Sequence, residues 1–198
     1  RRFILGEWCT AEGMIYDCFD PEVHAKVEKP HWKDQICRIL VGCDYGTSTT
    51  MSWSLIIELF DGSFYKADEY YYDAKVKRQQ HTDHEFGEIF EKWLYDHLQQ
   101  LPVHDVYAIY CDPSAASWKE ELRRRGFVVQ NADNDVVNGI RRVGALISSS
   151  KYTISPKCVN TIKEYCTYCW DPEAQKKGID KPIKMFDHSC DSDRYVLY

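Results

Sequence analysis

The apolar positions in the first third of the chain follow the pattern of an antiparallel sheet. Residues 38–44 and 52–60 are rich in β-branched and other apolar side chains. Asp61 and Gly62 then form a hairpin signal that leads into residues 63–72. The sequence therefore predicts three antiparallel strands.

The spacing of apolar residues becomes helical after residue 82. Thr82 and Glu85 have the separation of a capping box, in which the two residues satisfy the first backbone N–H groups of a helix. The apolar residues that follow recur every three or four positions. They are Phe86, Ile89, Phe90, Trp93, Leu94 and Leu98. This stripe predicts a helix that packs on the sheet.

Strands and helices alternate farther along the chain. Residues 106–111 have the pattern of a short buried strand, and a helix then runs to Arg125, where Gly126 ends it. Residues 127–130 predict another strand, and residues 135–149 a further helix. The order of the predicted elements in this part of the chain is therefore β-α-β.

Two more helices complete the pattern. Ser155 and Pro156 are a favourable helix start, and that helix is expected to run to about Trp170. Asp187 begins a last helical segment. Three hairpin strands followed by alternating helices and strands predict an α/β protein with a mixed five-stranded sheet flanked by helices. This is the element order of the RNase H-like fold.

Length and composition limit the class of protein. A chain of 198 residues is long enough to bury one core. Its nine cysteines are scattered and odd in number, which favours reduced thiols over a disulfide framework. The chain carries neither a long apolar window nor a signal peptide, so we expect neither a membrane protein nor a secreted one. It does not begin with Met, which indicates a piece of a longer chain.

The formal charge of −6 argues against binding of nucleic acid by overall electrostatic attraction. Clustered carboxylates that hold cations would contribute such a charge, and the bound cations would reverse it locally. Residues 20–34, with two prolines and mixed charge, are typical of a linker. Residues 171–184 predict an exposed loop. Its lysines are candidate phosphate contacts, namely Lys176, Lys177, Lys181 and Lys184.

Two aspartates end strongly apolar strands. Asp44 ends the first predicted strand, and Asp112 follows residues 106–111 and precedes Pro113. If the two strands are adjacent and parallel, both carboxylates project from one edge of the sheet, where α/β proteins bind ligands. Either residue by itself is as typical of a turn aspartate.

A third group of polar residues lies near the end of the chain. Asp187 and Asp191 are four residues apart, and His188 and Asp191 three, so a helix places them on one face. Alternatively, Asp187 or Ser189 caps this helix; for Asp187 both interpretations stay open, and for Asp191 we favour metal ligation. Carboxylates suit Mg²⁺ or Mn²⁺, and two such ions about 4 Å apart would promote phosphodiester hydrolysis.

The cysteines in the last quarter of the chain also allow a zinc site. Cys166 and Cys169 have the spacing of half such a site, with Cys158 and Cys190 as conceivable partners. However, Cys158, Cys166 and Cys169 also recur at helical spacing. We therefore interpret them as core thiols.

Four motifs carry a resemblance to a known family. They are Leu-Val-Gly-Cys-Asp-Tyr-Gly at 40–46, Cys-Asp-Pro-Ser at 111–114, Asn-Gly-Ile at 138–140, and Asp-His-x-x-Asp-x-x-Arg-Tyr at 187–195. Together they resemble the nuclease domain of tailed-bacteriophage terminase large subunits. Gly6-Glu7-Trp8, Glu12-Gly13 and Phe19-Asp20 are similar to the segment that joins ATPase and nuclease in that family.

The resemblance implies a domain division and a site. Residues 1–35 would be a linker from a preceding ATPase domain, and residues 36–198 the RNase H-like nuclease. Two Mg²⁺ or Mn²⁺ ions would be held by acids of the matching motifs, with one acid bridging them. The implied ligands are Asp44 as the bridge, Asp112 and Asp191, with Asp187 as a further candidate and His188 as a catalytic neighbour.

The resemblance also implies a role. The chain would be a metal-dependent endonuclease that cuts concatemeric double-stranded viral DNA during genome packaging in the host cytoplasm, with the terminase small subunit and the portal as partners. It lacks the phosphate-binding loop G-x-x-x-x-G-K-[ST], so no ATP hydrolysis is expected. The alternatives are another RNase H-like nuclease, of resolvase or transposase type, and a non-catalytic nucleic-acid or protein interaction domain.

Overall fold

A six-stranded mixed sheet forms the centre of the fold. The computed structural model describes residues 2–4, 7–9, 13–27 and 32–198, with side chains for 13–27 and 33–198. Gly6 and Glu12 of the N-terminal motif lie outside the described residues. A small two-stranded sheet pairs β1 (Arg2–Ile4) with β2 (Glu7–Cys9). The strands of the main sheet are β3 (Ile36–Asp44), β4 (Thr50–Leu59), β5 (Phe64–Asp73), β6 (Ala108–Cys111), β7 (Val129–Asn131) and β8 (Tyr152–Ile154).

The strand order in the main sheet is β7-β6-β3-β4-β5-β8. The three predicted hairpin strands are confirmed, since β4 pairs antiparallel with both β3 and β5. β6 pairs parallel with β3, and β7 parallel with β6. The predicted count of five strands was wrong, because β8 adds a sixth strand parallel to β5. This strand has only three residues, too few for its alternation to stand out in the sequence.

Helices cover both faces of the sheet. They are α1 (Pro21–His24), α2 (Ala74–Lys77), α3 (Asp83–Leu98), α4 (Ala116–Arg124), α5 (Val136–Ser148), α6 (Val159–Tyr165), α7 (Pro172–Gln175) and α8 (His188–Leu197). The capping box of α3 is confirmed, with Thr82 and Glu85 exchanging hydrogen bonds. Among the described residues, no helix has both the length and the apolar character needed to cross a membrane.

The bounds predicted for α6 were wrong at both ends. The helix begins at Val159 rather than Pro156, because the backbone N–H of Cys158 donates to Ser155 O in a turn. It ends at Tyr165 rather than Trp170, because residues 168–170 bond instead to the backbone of residues 13–15. The predicted helical stripe of cysteines therefore does not extend to Cys169, although that residue is buried.

The buried apolar residues form two separate cores. Trp53 and the helices α3 and α4 build the first core, in which Trp53 stacks on Trp118 with ring centroids 5.9 Å apart. The second core lies on the opposite face and contains residues of α5, α6 and α8. The sheet thus holds α8 against the face that α3 and α4 do not cover.

Part of the predicted linker packs on the second core. Tyr16 and Phe19 are buried there, and the N–H of Ile15 donates to Tyr168 O over 2.9 Å. His24 is also buried, with its Nε2 atom 3.2 Å from Ile147 O. Residues 13–19 and 24 are therefore integral to this fold, and the division at residue 35 remains a prediction.

Gly42 in β3 allows α8 to approach the sheet closely. A Cβ atom at this position would lie 1.8 Å from the backbone oxygen of Ser192. Gly139 in α5 has a similar role, since its Cβ would lie 2.6 Å from Cδ of Arg194. Two glycines of the family-like motifs are thus explained by the packing of α8.

We expect the substitution Gly42→Ala to destabilise the protein by about 1–3 kcal/mol, because the added methyl group pushes α8 away from β3. Gly144→Ala is the matched control. Gly144 lies in α5, and a Cβ atom added there would meet no neighbouring heavy atom within 4 Å. Alanine at that position should raise stability by roughly 0.5–1 kcal/mol. Urea denaturation of both variants checks the prediction, and equal stabilities would contradict it.

A candidate metal centre where two parallel strands end

Asp44 and Asp112 end neighbouring parallel strands. Cys43 in β3 is the register partner of Cys111 in β6, so the next residue on each strand is one of the two acids. The two strands are adjacent and parallel, which is the condition under which the sequence places both carboxylates at one edge of the sheet. Both acids lie at the carboxyl edge of the sheet, next to the β3–β6 pair.

Helix α8 brings the third group of polar residues to this edge. It packs across β3 and β4, where the hydroxyl of Ser192 lies 2.7 Å from that of Ser54. The ring of His188 reaches Asp44, with Nδ1 2.7 Å from Oδ2. One helical turn beyond Asp191, Tyr195 donates its hydroxyl proton to Oδ2 of Asp112 over 3.1 Å. α8 therefore contacts both strand-end acids.

Asp191 lies between two cationic side chains. Its Oδ1 accepts from Arg194 over 2.9 Å, and its Oδ2 accepts from the Lys184 ammonium over 3.1 Å. The same ammonium lies 3.5 Å from Oδ2 of Asp187. Asp191 and Asp187 are both buried, at 7% and 6% exposure. Lys184 thus supplies a positive charge that two buried carboxylates share.

The acids of the site repel one another. Burial raises the pKa of Asp44, the bond to His188 opposes the rise, and the charges of Asp191 and Asp187 add to it. The pKa of Asp187 is likewise raised, by burial and by Asp191. Burial lowers the pKa of His188, but Asp44 outweighs this and the net shift is upward. The site concentrates negative charge that a cation would relieve.

Asp112 has two roles in the structure. Its Oδ1 accepts the N–H and hydroxyl of Ser114, which is the turn-forming role that the sequence left open. Its Oδ2 faces Tyr195 and Asn134. Burial opposes ionisation, but these hydrogen bonds outweigh it and the pKa of Asp112 is lowered.

Asp187 does not cap the helix. It precedes the first residue of α8, a helix that the structure describes in full, and its carboxylate accepts no bond from the helix backbone. Within the described part of the chain, its buried Oδ2 has no hydrogen bond and only the Lys184 ammonium nearby, at 3.5 Å. A buried carboxylate oxygen that is so weakly paired is costly, and a closer cation would reduce that cost. The capping interpretation is therefore not supported for this side chain.

The donor set suits a hard divalent cation. It consists of carboxylate oxygens with one imidazole beside them, as Mg²⁺ and Mn²⁺ prefer. As the side chains stand, however, no three His, Cys, Asp or Glu residues in the described ranges are close enough together to hold an ion. An ion at Asp191 would compete with the Lys184 ammonium, which lies 3.1 Å from its Oδ2. The weakly paired Oδ2 of Asp187 and the mutual repulsion of the acids are the features that fit a metal.

The predicted DNA-binding lysines lie on the segment before α8. Lys176, Lys177 and Lys181 are exposed, and Lys176 pairs with exposed Glu173 over 2.6 Å. This segment is less irregular than expected, because it contains α7, capped by Asp171. Lys184 differs from the other three, since its ammonium bonds to the buried acids.

Some residues of the site gave little signal in the sequence. Tyr195 follows Asp191 by four residues, a helical spacing that could have placed it on the same face. Lys184 and Glu164 could not have been found in this way, because their contacts join segments that only the fold brings together. Glu164 in α6 binds the N-terminus of α8.

Solved structures of bacteriophage proteins are similar to this one. The large terminase of a thermophilic bacteriophage is 38% identical, with a TM-score of 0.83 over 99% of this chain and 46% of that one. The chain therefore spans about half the length of that terminase. No protein-family model matches the sequence, and no curated protein does.

Two separately solved nuclease domains have the same fold at lower identity. The P22 large terminase nuclease domain is 16% identical, with a TM-score of 0.69 over 92% of this chain and 90% of that one. The large terminase nuclease of thermophilic phage G20c, with bound magnesium, is 12% identical, with a TM-score of 0.65 over 95% and 98% of the two chains. The RNase H-like fold is thereby confirmed. The chain belongs to the bacteriophage large-terminase family and corresponds to the nuclease domain of those proteins.

Proposed function

We propose that this chain is a divalent-metal-dependent endonuclease domain that cuts double-stranded viral DNA during genome packaging in the host cytoplasm. One observation carries the proposal: α8 contacts both strand-end acids, with His188 bonded to Asp44 and Tyr195 bonded to Asp112. The chain that has this arrangement is 38% identical to a large terminase. We infer the terminase small subunit and the portal as partners of the whole protein.

The proposed ligands are Asp44, Asp112 and Asp191, with Asp187 beside them. The nuclease of phage SPP1 was solved with manganese, and that of G20c with magnesium and with cobalt, which supports a divalent cation here. We favour two Mg²⁺ or Mn²⁺ ions, both of which Asp44 would help to hold. Bound cations would supply Lewis acidity toward the scissile phosphate and acidify the attacking water.

The protein residues would orient the reactants and handle protons. His188 holds Asp44 through Nδ1, so its Nε2 atom is the one that would exchange a proton with the attacking water. The hydroxyl of Tyr195 would hold Asp112 in place. Lys184, once displaced from Asp191, would be able to contact a phosphate oxygen.

A titration with Mn²⁺ tests the proposed function. Nicking and linearisation of supercoiled plasmid should require Mn²⁺ or Mg²⁺ and stop on chelation. The melting temperature should rise with Mn²⁺, because an ion that binds only the folded chain stabilises it, by about 2.7 kcal/mol at a hundred times the Kd. If neither cleavage nor melting responds, the chain is a non-catalytic domain whose acids serve turns, as Asp112 does with Ser114.

The substrate preference separates this nuclease from its nearest alternatives. A terminase nuclease should cut linear and supercoiled duplexes with weak sequence dependence. A preference for branched DNA would indicate a resolvase, and a preference for RNA–DNA hybrids a ribonuclease H. Parallel digests of the four substrates decide among these.

We expect the exposed lysines before α8 to contact DNA phosphates. Changing Lys176, Lys177 and Lys181 to Ala should weaken binding and reduce the salt dependence of log K by about one for each lost contact. The Kd for Mn²⁺ should hardly change. Lys92→Ala, on an exposed turn of α3, is the control. Filter binding from low to high salt measures the slope, and an unchanged slope in the triple variant would place the DNA elsewhere.

A further inference from the structure

Helix α8 begins without help from its own N-cap residue. The first N–H groups of a helix have no partner within it, and a side chain at the N-cap position normally accepts from them. Asp187 holds that position but does not do so. Glu164, from α6, accepts instead. Its Oε2 takes the N–H of Ser189 over 2.7 Å and that of Cys190 over 3.1 Å.

The carboxylate of Glu164 is fixed from both sides. Its Oε1 accepts the hydroxyl proton of Tyr71 over 2.9 Å, and the residue is only 3% exposed. Burial raises the pKa of Glu164 to about 7, although these hydrogen bonds oppose the rise. Above that pH the group is a carboxylate at the positive end of a helix, where negative charge is stabilised.

This arrangement determines what Asp187 can do. Because Glu164 satisfies the helix N–H groups, the Asp187 carboxylate is directed toward Lys184, which it shares with Asp191. Asp187 is only 6% exposed, and among the described residues its Oδ2 has no hydrogen bond and only the long contact of 3.5 Å with the Lys184 ammonium. A carboxylate that is buried, unused in capping and next to a second acid has the properties of a cation ligand.

We propose that Glu164 is a positioning residue for metal binding, which caps α8 in place of Asp187 and so leaves the Asp187 carboxylate available to a divalent cation beside Asp191. The inference rests on the proposed function, since it assumes that the cation binds at this site. It assigns a role to a residue outside the acid motifs. Glu164 would touch neither the cation nor the DNA.

Substitutions of Glu164 should weaken cation binding in the absence of DNA. We expect Glu164→Ala to raise the Kd for Mn²⁺ about 10–100-fold, the usual effect of removing a group that orients a metal ligand. Glu164→Gln should have an intermediate effect, because its amide oxygen still accepts from the helix but lacks the charge. Calorimetry, or electron paramagnetic resonance of free Mn²⁺, at pH 8 measures the Kd directly.

A control separates positioning from general stability. Leu94→Ala removes a buried side chain of α3 from the opposite face of the sheet, and it should lower the melting temperature with less than a twofold change in Kd. If Glu164→Ala does not fold, Glu164→Gln and Tyr71→Phe take its place, since each weakens the cap with a smaller change. Folded Glu164 variants with the parental Kd would overturn the proposal.

A double-mutant cycle tests the link to Asp187. Asp187→Asn should raise the Kd in the parent chain but have less effect in the Glu164→Ala background, where Asp187 is free to cap the helix itself. Additive effects would contradict the link. Mn²⁺ binding by the unsubstituted chain tests the proposed function, and both proposals fail if that chain binds no Mn²⁺. If it binds Mn²⁺ and the Glu164 variants bind equally well, only the positioning role of Glu164 is removed.

Discussion

Changing Asp44 to Asn should reduce metal-dependent DNA cleavage by about a thousandfold or more. The carboxylate is proposed to help hold both cations, and its loss should remove several kcal/mol of transition-state stabilisation. Asp112→Asn and Asp191→Asn should have effects of similar size. Initial rates of plasmid nicking at saturating Mn²⁺ measure all three.

Asp44→Asn is the most informative of the three variants because it should stay folded. The pKa of Asp44 is raised, chiefly by burial, so the fold disfavours its ionised form and a neutral amide removes that cost. The melting temperature without metal should therefore stay near that of the parent. In Asp112→Asn, the side-chain amide oxygen can still accept the hydrogen bonds from the N–H and hydroxyl of Ser114.

Asp96→Asn is the matched control. Asp96 lies exposed on α3, paired with Lys92, and its substitution should leave cleavage unchanged. Near-parental cleavage by Asp44→Asn would refute the metal mechanism. If Asp44→Asn loses both cleavage and folding, cleavage by Asp112→Asn tests the mechanism instead, since the turn between Asp112 and Ser114 should be preserved in that variant.

The sequence predicted those parts of the fold whose signals are local. The hairpin at Asp61 and Gly62, the capping box of α3 and the strand ends at Asp44 and Asp112 each depend on a few neighbouring residues, and the structure has all of them. The sequence did not predict β8, and it placed both ends of α6 wrongly. Their bounds depend on pairing with β5 and with residues 13–15, which are distant in the sequence.

The site was predictable to the same extent. Spacing was enough to predict that His188 and Asp191 belong to one helix, which is α8, and that Asp187 lies at its start. The strand ends pointed to Asp44 and Asp112. Spacing could not reveal that Lys184 pairs with Asp191, or that Glu164 takes over the cap from Asp187. Those contacts join segments whose proximity is a product of tertiary packing.

A buried ion pair anchors the helix that carries these acids. Lys66 in β5 lies 2.7 Å from Oδ1 of Asp193 in α8, and neither side chain is exposed. Lys66 also donates to Ser54, and Asp193 Oδ2 accepts the hydroxyls of Tyr152 and Tyr165. Burial alone would lower the pKa of Lys66, but Asp193 reverses the shift and the pKa is raised.

Lys66→Met should therefore lower the free energy of unfolding by about 3–5 kcal/mol, because it leaves the Asp193 carboxylate buried without a counter-charge. The double variant Lys66→Met, Asp193→Leu should recover part of that loss, since it removes the uncompensated charge as well. The matched control is Lys92→Met, which breaks an exposed pair in α3 and should cost no more than about 0.5 kcal/mol. Urea denaturation at neutral pH gives all three values. If Lys66→Met is as stable as Lys92→Met, the pair does not anchor α8, and the hydroxyl contacts of Ser192 with Ser54 and Ser52 are the next candidates for that role.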